Sequence, residues 1–300
     1  MVKLADKSYW KVGGECSSFF DVGDEIQLKN TLKNNDLSKL IVIGNATNLL
    51  FDSKGYDGVV IKLNGQFNQV SFSDSGLVEV GAAVWVPGLV RQLMKRGKGS
   101  LDHCVGIPAT VGGLVAMNGG SQRKSISENI ISVKVMDYDG NIHWIDREEC
   151  LFSYRKSLFL DGGLIILSVI LDLVDIEPNS NRIDLLKILK ERRLKFPRKE
   201  PNCGSVFKSS VELYNKIGPP GFVIESLGLK GLKFGDAEIS EKHANFIVNK
   251  GHAKSDDIIS LVKHINLCCK NEYNIEMEAE AIYLSKSGER YLLHCAPNEK

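Results

Sequence analysis

Short apolar runs separated by small and polar residues dominate the N-terminal half of the chain. LIVI (40–43), GVVIKL (58–63) and LVEVGAAVWV (77–86) are β-branched and bounded by Gly, Asn and Asp, so each predicts a strand. Pro87 to Gly97 predicts a helix, because proline presets φ in a first turn and glycine ends one. ISVKVMDYDGNIHWI (131–145) predicts a hairpin whose Asp139-Gly140 turn supplies positive φ. GLIILSVILDLV (163–174) predicts another strand. The pattern changes at Asp175. IEPNSN (176–181) reads as a polar link, and Ile183, Leu186, Ile188 and Leu189 then recur at helical spacing over 182–194. Ser255-Asp256-Asp257 predicts the cap of a further helix with Ile258, Leu261, Val262 and Ile265 on one face. HANFIV (243–248) and EAEAIYL (278–284) predict short strands around it. The sum is a mixed α+β chain: a nucleotide-type domain over residues 1–175 and a smaller α+β domain over 176–300.

Charge narrows the partners. With 38 basic and 37 acidic residues the formal net charge is +1, which lacks the basic footprint of a nucleic-acid binder. Lys187 to Lys199 is a local basic run. It reads as a solvated helix face, with a phosphate or carboxylate contact by one member as the sharper alternative. The longest apolar runs, such as Leu164–Leu173, fall short of the roughly 18 residues a membrane span needs. A cytoplasmic protein without membrane insertion is expected. Seven cysteines, an odd number without any CxxC pair, argue against a disulfide framework and against a zinc site, and no metal is expected.

Two glycine-containing loops stand out although GxxxxGK[ST] is absent and GKGSLD (97–102) departs from GxGxxG. IGNATNLLF (43–51) follows a strand, and its backbone N–H groups with Thr47 and Asn48 can cradle a pyrophosphate; a plain turn is the alternative. In VGIPATVGGLVAMNGG (105–120), Gly112-Gly113 permits close backbone approach to a flat ligand, Pro108 stiffens the turn and Thr110 can donate; a buried packing segment is the alternative. Two such loops together favour a large dinucleotide. A third stretch, EPNCGSVFK (200–208), sets Ser205 behind a glycine with no histidine close by in sequence.

KVGG (11–14), GNATNLL (44–50), GIPATVGG (106–113), YRKSLF (154–159), PNCGSVFK (201–208), GFVIESLGLKG (221–231), EKHANFIVN (241–249) and IEMEAEA (275–281) run in order through the chain. That ordered set resembles the UDP-N-acetylenolpyruvoylglucosamine reductase family of peptidoglycan precursor synthesis, in its form without an extra substrate-capping loop. The resemblance implies an α+β fold: an FAD-binding domain of the vanillyl-alcohol-oxidase type, in two α/β parts, plus a smaller substrate-binding domain. It implies noncovalent FAD, NADPH as co-substrate, a monomer, and reduction of UDP-N-acetylglucosamine enolpyruvate to UDP-N-acetylmuramate.

By position, the resemblance makes Ser205 the proton donor, Arg155 the carboxylate-binding cation and Glu280 the stabiliser of an enediolate, a role that would call for a raised pKa. This accounts for a serine without a histidine, since no acyl group is attacked. It assigns flavin contacts to Gly44, Asn45, Ala46, Thr47, Asn48 and Leu49 in the first loop. In the second loop it assigns them to Gly106, Ile107, Pro108, Thr110, Val111, Gly112, Gly113 and Asn118. Tyr154, Lys195, Gly204, Glu225 and His243 are the candidate substrate contacts. Ala46-Thr47, Ala109, Gly119, Ser209-Ser210 and Ala279 depart from the family pattern. They leave open a same-fold flavoprotein acting on a different nucleotide sugar or another substrate. A non-catalytic nucleotide-sugar binder is the reading from another class.

Overall fold

A computed structural model describes residues 1–297, with the side chains of 178–181 outside the description. The contacts divide the chain into two compact units that interleave along the sequence. Unit I comprises 1–18, 46–58 and 193–300, and unit II comprises 19–45 and 59–192. A single cut after residue 175 therefore does not describe the packing. Trp10, Val12 and Leu50 belong to the core of unit I, with Val223, Ile247, Leu261 and Ile265. Apolar burial, not chain order, sets the division.

Unit II is built on a five-stranded antiparallel sheet in the order 70–72, 78–81, 164–171, 130–137, 142–146. Its central strands bury Val133, Val135, Ile165 and Val169 almost completely. Leu40–Ile43 pairs in parallel with Val59–Lys62 in the same unit. The helix Val86–Lys95 starts with proline in its first turn and buries Leu89, Val90 and Leu93. Gly97 follows it at φ +71°, a left-handed stop that most side chains resist. The predicted hairpin is present, with Gly140 at φ +84°. The predicted strand 77–86 is shorter: only Val78–Gly81 is extended. Val84 N–H turns back to the Gly81 carbonyl at 3.1 Å, and Val86 already opens the helix.

Unit I packs two small sheets against the long helix Ser255–Tyr273. One sheet joins 233–234, 237–239 and 247–249; the other joins 290–292 and 282–284 antiparallel, and 282–284 to 49–51 in parallel. The predicted helix cap differs in detail. Asp257 Oδ2 accepts from Lys254 N–H at 2.8 Å, whereas the Ser255 hydroxyl accepts from Ser53 N–H at 3.1 Å. The helix predicted over 182–194 extends over Pro178–Lys195, so it takes in part of the expected polar link.

Candidate active site

In unit II the two glycine-containing loops touch. Asn45 Nδ2 donates to the Pro108 carbonyl at 2.9 Å. A Cβ on Gly44 would lie 2.2 Å from Thr110 Oγ1, so glycine is what allows this approach. Thr110 caps the short helix Val111–Ala116, its Oγ1 accepting from Gly113 N–H at 3.4 Å and leaving its own O–H to donate. A Cβ on Gly112 would lie 3.0 Å from that of Ala82, whose carbonyl accepts Gly112 N–H at 2.8 Å. Ile107 N–H closes a turn onto the Cys104 carbonyl. The unit boundary falls inside the first loop, between Asn45 and Ala46. Ala46 is buried and sits at φ +47°, in the left-handed region. Leu49 begins the strand 49–51.

Arg155 also carries positive φ, +56°, an uncommon state for a long side chain and a mark of a position held by its surroundings. Its guanidinium donates to the carbonyls of Asn118 and Gly120 at 3.4 and 3.1 Å and lies over the exposed Tyr154 ring, 5.0 Å from its centroid. Asn118, at φ +42°, spends its amide on Ser153 O and Ser127 N–H, so its side chain holds the loop together.

The other candidates lie in unit I. Ser205 is exposed, while Cys203, two positions before it, and Val206, directly after it, are buried. Gly204 before it takes φ +88°, and a Cβ there would meet nothing within 4 Å, so the turn needs glycine for its backbone and leaves open space. Among the described residues, the hydrogen-bonded histidines 243, 264 and 294 engage Asn245, Cys268 and Ala279, not Ser205. The segment after Ser205 pairs with the one carrying Glu280. Glu280 N–H donates to Val206 O at 2.7 Å and Lys208 N–H to Glu278 O at 2.9 Å. Ser205 and Glu280 are thus brought to the same end of one ladder. Glu276 and Glu278 alternate with the buried Met277 and Ala279, which puts all three glutamates on one face as the two-residue period requires. Glu278 is taken by Lys208 at 2.6 Å. Asn48 Nδ2 donates to the Glu280 carbonyl at 3.0 Å. The Cys203 thiol is pushed far up by burial, then by the charge of Glu280, and is chemically quiet.

Lys195, Glu225 and His243 form a second group. Burial first, then the charges of Lys195 and Lys230, bring His243 down to about 4, with Glu225 opposing. Phe196 and Phe246, stacked on each other, both meet the ring, at 5.3 and 5.0 Å. Lys230 pairs with Glu225 at 2.6 Å. Sequence reasoning missed two residues here. Lys230 is hidden inside LGLKG. Asn245 clamps the backbone beyond Ser205: its Oδ1 accepts from Phe207 N–H at 2.9 Å and its Nδ2 donates to Phe207 O at 3.0 Å. A lone asparagine in the apolar run HANFIV was the available signal.

In unit II the contact of Asn45 with Pro108 and a guanidinium beside the second loop suit an anionic dinucleotide, so these residues fit FAD. Residues 21–146 match the family model described as an FAD binding domain. Residues 196–284 match that described as the C-terminal domain of UDP-N-acetylenolpyruvoylglucosamine reductase. The class is therefore an FAD-dependent oxidoreductase of α+β fold. Over the whole chain, 39% of residues are identical to UDP-N-acetylenolpyruvoylglucosamine reductase 1 of Corynebacterium glutamicum, covering 90% of that protein. The namesake from Halalkalibacterium halodurans is 36% identical over 92% of this chain and 91% of its own length. The crystal structure of the Thermus caldophilus reductase superposes with a TM-score of 0.79 at 31% identity, covering 94% of this chain and 97% of that one. The chain belongs to the UDP-N-acetylenolpyruvoylglucosamine reductase family.

Proposed function

We propose that the protein reduces UDP-N-acetylglucosamine enolpyruvate to UDP-N-acetylmuramate with NADPH, as a cytoplasmic, monomeric enzyme of peptidoglycan precursor synthesis. Among the described residues no helix is long and apolar enough to cross a membrane. In this reading the loops at 44–49 and 106–113 carry the flavin, and unit I supplies most of the substrate contacts. Bound FAD supplies the hydride transfer between NADPH and the enolpyruvyl double bond.

The chain's own residues answer the charge that follows. Hydride arriving at the methylene carbon leaves an electron pair that the adjacent carboxylate takes up as an enediolate, and the neighbouring carbon then needs a proton. Arg155 offers a fork matched to a carboxylate. Glu280 stabilises the enediolate, and Ser205 Oγ–H gives the proton. Tyr154, Lys195, Gly204, Glu225 and His243 orient the nucleotide sugar. The observation that carries this reading is Ser205 itself: a hydroxyl exposed above an open glycine turn, unattended by histidine, beside the ladder that presents Glu280. A nucleophilic serine would need a base; a proton donor needs only position.

NADPH oxidation measured with and without the enolpyruvyl substrate tests it. Ser205→Ala should cut substrate-dependent turnover by about 10²–10⁴-fold, the usual worth of a positioned acid. Reduction of the flavin by NADPH alone should be unchanged. Loss of the flavin half-reaction, or full turnover without the hydroxyl, would remove Ser205 from its role.

A further inference from the structure

Most of the basic run Lys187–Lys199 is exposed, but Arg192 departs from it. Its side chain is half-buried, and Nη2 donates to the Gly106 carbonyl at 3.1 Å. A Cβ at Gly106 would lie 2.2 Å from Arg192 Nε and 2.4 Å from Cδ. The hydrogen bond and the missing side chain place the guanidinium against the first residue of the second flavin loop. From there a short relay leads onward. Two residues beyond Gly106, the Pro108 carbonyl accepts from Asn45 of the first loop. At the far end of the same segment Arg155 holds Asn118 and Gly120. Cys104 lies where both guanidiniums are felt: burial raises its thiol to about 12, and Arg192, then Arg155, oppose that rise.

We propose that Arg192 is a positioning residue for the flavin, fixing the Gly106 peptide so that the two loops keep their apposition and bringing positive charge to the dinucleotide. This rests on residues 44–49 and 106–113 being the FAD loops. Arginine suits the task because its planar group lies flat against a backbone while donating to a carbonyl, which a lysine ammonium does less well.

The test is titration of apoprotein with FAD, followed by flavin fluorescence, alongside the melting temperature of the apoprotein. R192M removes the donor; G106A displaces the guanidinium from the loop side while leaving it in the chain. Each should weaken FAD binding by about tenfold or more, the scale of one charge-assisted hydrogen bond. The double variant should be no weaker than the poorer single, because both break one contact. R192K should recover part of the loss, and the apoprotein melting temperature should stay within a few degrees of wild type. If R192M does not fold, G106A carries the test with the same expected weakening and R192K with a smaller one. Wild-type FAD affinity in the variants, additive losses in the double, or a loss matched by collapse of apoprotein stability in G106A would overturn the role. Wild-type protein that takes up no FAD would instead sink the flavin reading beneath it.

Discussion

His243 shows what a single position adds to the sequence. In EKHANF it is simply a polar residue next to an apolar run, readable as a ligand contact or, somewhat better, as a buried hydrogen-bonder. In the structure Nδ1 accepts from Asn245 N–H at 3.3 Å, and the ring packs against Phe196 and Phe246. Held down to about 4 by burial and by Lys195 and Lys230, the ring is neutral in the folded protein at neutral pH. An unfolded chain takes up this proton near 6.5, so as pH falls from 6.5 toward 4 the unfolded state is favoured. The contribution is complete above 6.5 and disappears across that window. For a ring only partly covered it is on the order of 1–2 kcal/mol. Urea unfolding at pH 7.5 and 4.5 should show a smaller acid loss for His243→Phe than for wild type. His103 and His294, also lowered by burial, keep part of the slope. An identical acid loss in the variant would deny the shift. Sequence could name His243 and Ser205, because motif order survives in the chain; it could not name Arg192, whose role depends on a glycine 86 residues earlier.

At the scale of elements, the legible features were those fixed by local chemistry. LIVI, the proline-led helix and the Asp139-Gly140 hairpin fall where their residues predict. LVEVGAAVWV misled because apolar residues continue past the end of the strand: Ala82 N–H still bonds to Leu167 O at 2.8 Å, but Val84 turns back onto Gly81. Composition suggested that the two small-residue loops serve one dinucleotide; the structure brings them into contact, and glycine at 44 permits it. Gly44→Ala would drive a methyl into Thr110 Oγ1, at 2.2 Å, and into its Cβ, at 3.2 Å. The loops must then separate, and FAD affinity should fall by about tenfold or more, since overpacking of this kind typically costs about 1–3 kcal/mol. Gly44→Ala with Thr110→Ala removes the nearest obstruction and should regain part of the affinity, even though it gives up a helix cap worth about 1 kcal/mol. A double variant that binds FAD more weakly than Gly44→Ala alone would show that Thr110 serves the ligand or the helix more than the loop contact.

Across the molecule, chain order and folding unit part company. Composition changes at residue 175, and a reader of the sequence cuts there; but the N-terminal segment is written into the core of the unit that holds Ser205 and Glu280. Trp10 is fully buried, its Nε1 donating to Ile247 O at 2.8 Å, and Asn249 Nδ2 returns a bond to Trp10 O at 3.1 Å. Asp52, also buried, accepts from the Tyr283 hydroxyl at 2.9 Å. Strand 49–51 completes the sheet at 282–284. Periodicity cannot reveal such pairings, because they link residues more than 200 positions apart. A fragment of residues 176–300 would lack all of them and expose the apolar faces they cover. It should show no cooperative thermal transition by near-ultraviolet circular dichroism, whereas the intact chain should melt sharply. In the intact chain, Trp10→Ala should cost about 3–5 kcal/mol, as for other large aromatic truncations in cores. A fragment that melts cooperatively would mean that 176–300 folds on its own. The tryptophan would then be an ornament on a finished core, and the cut at 175 would stand.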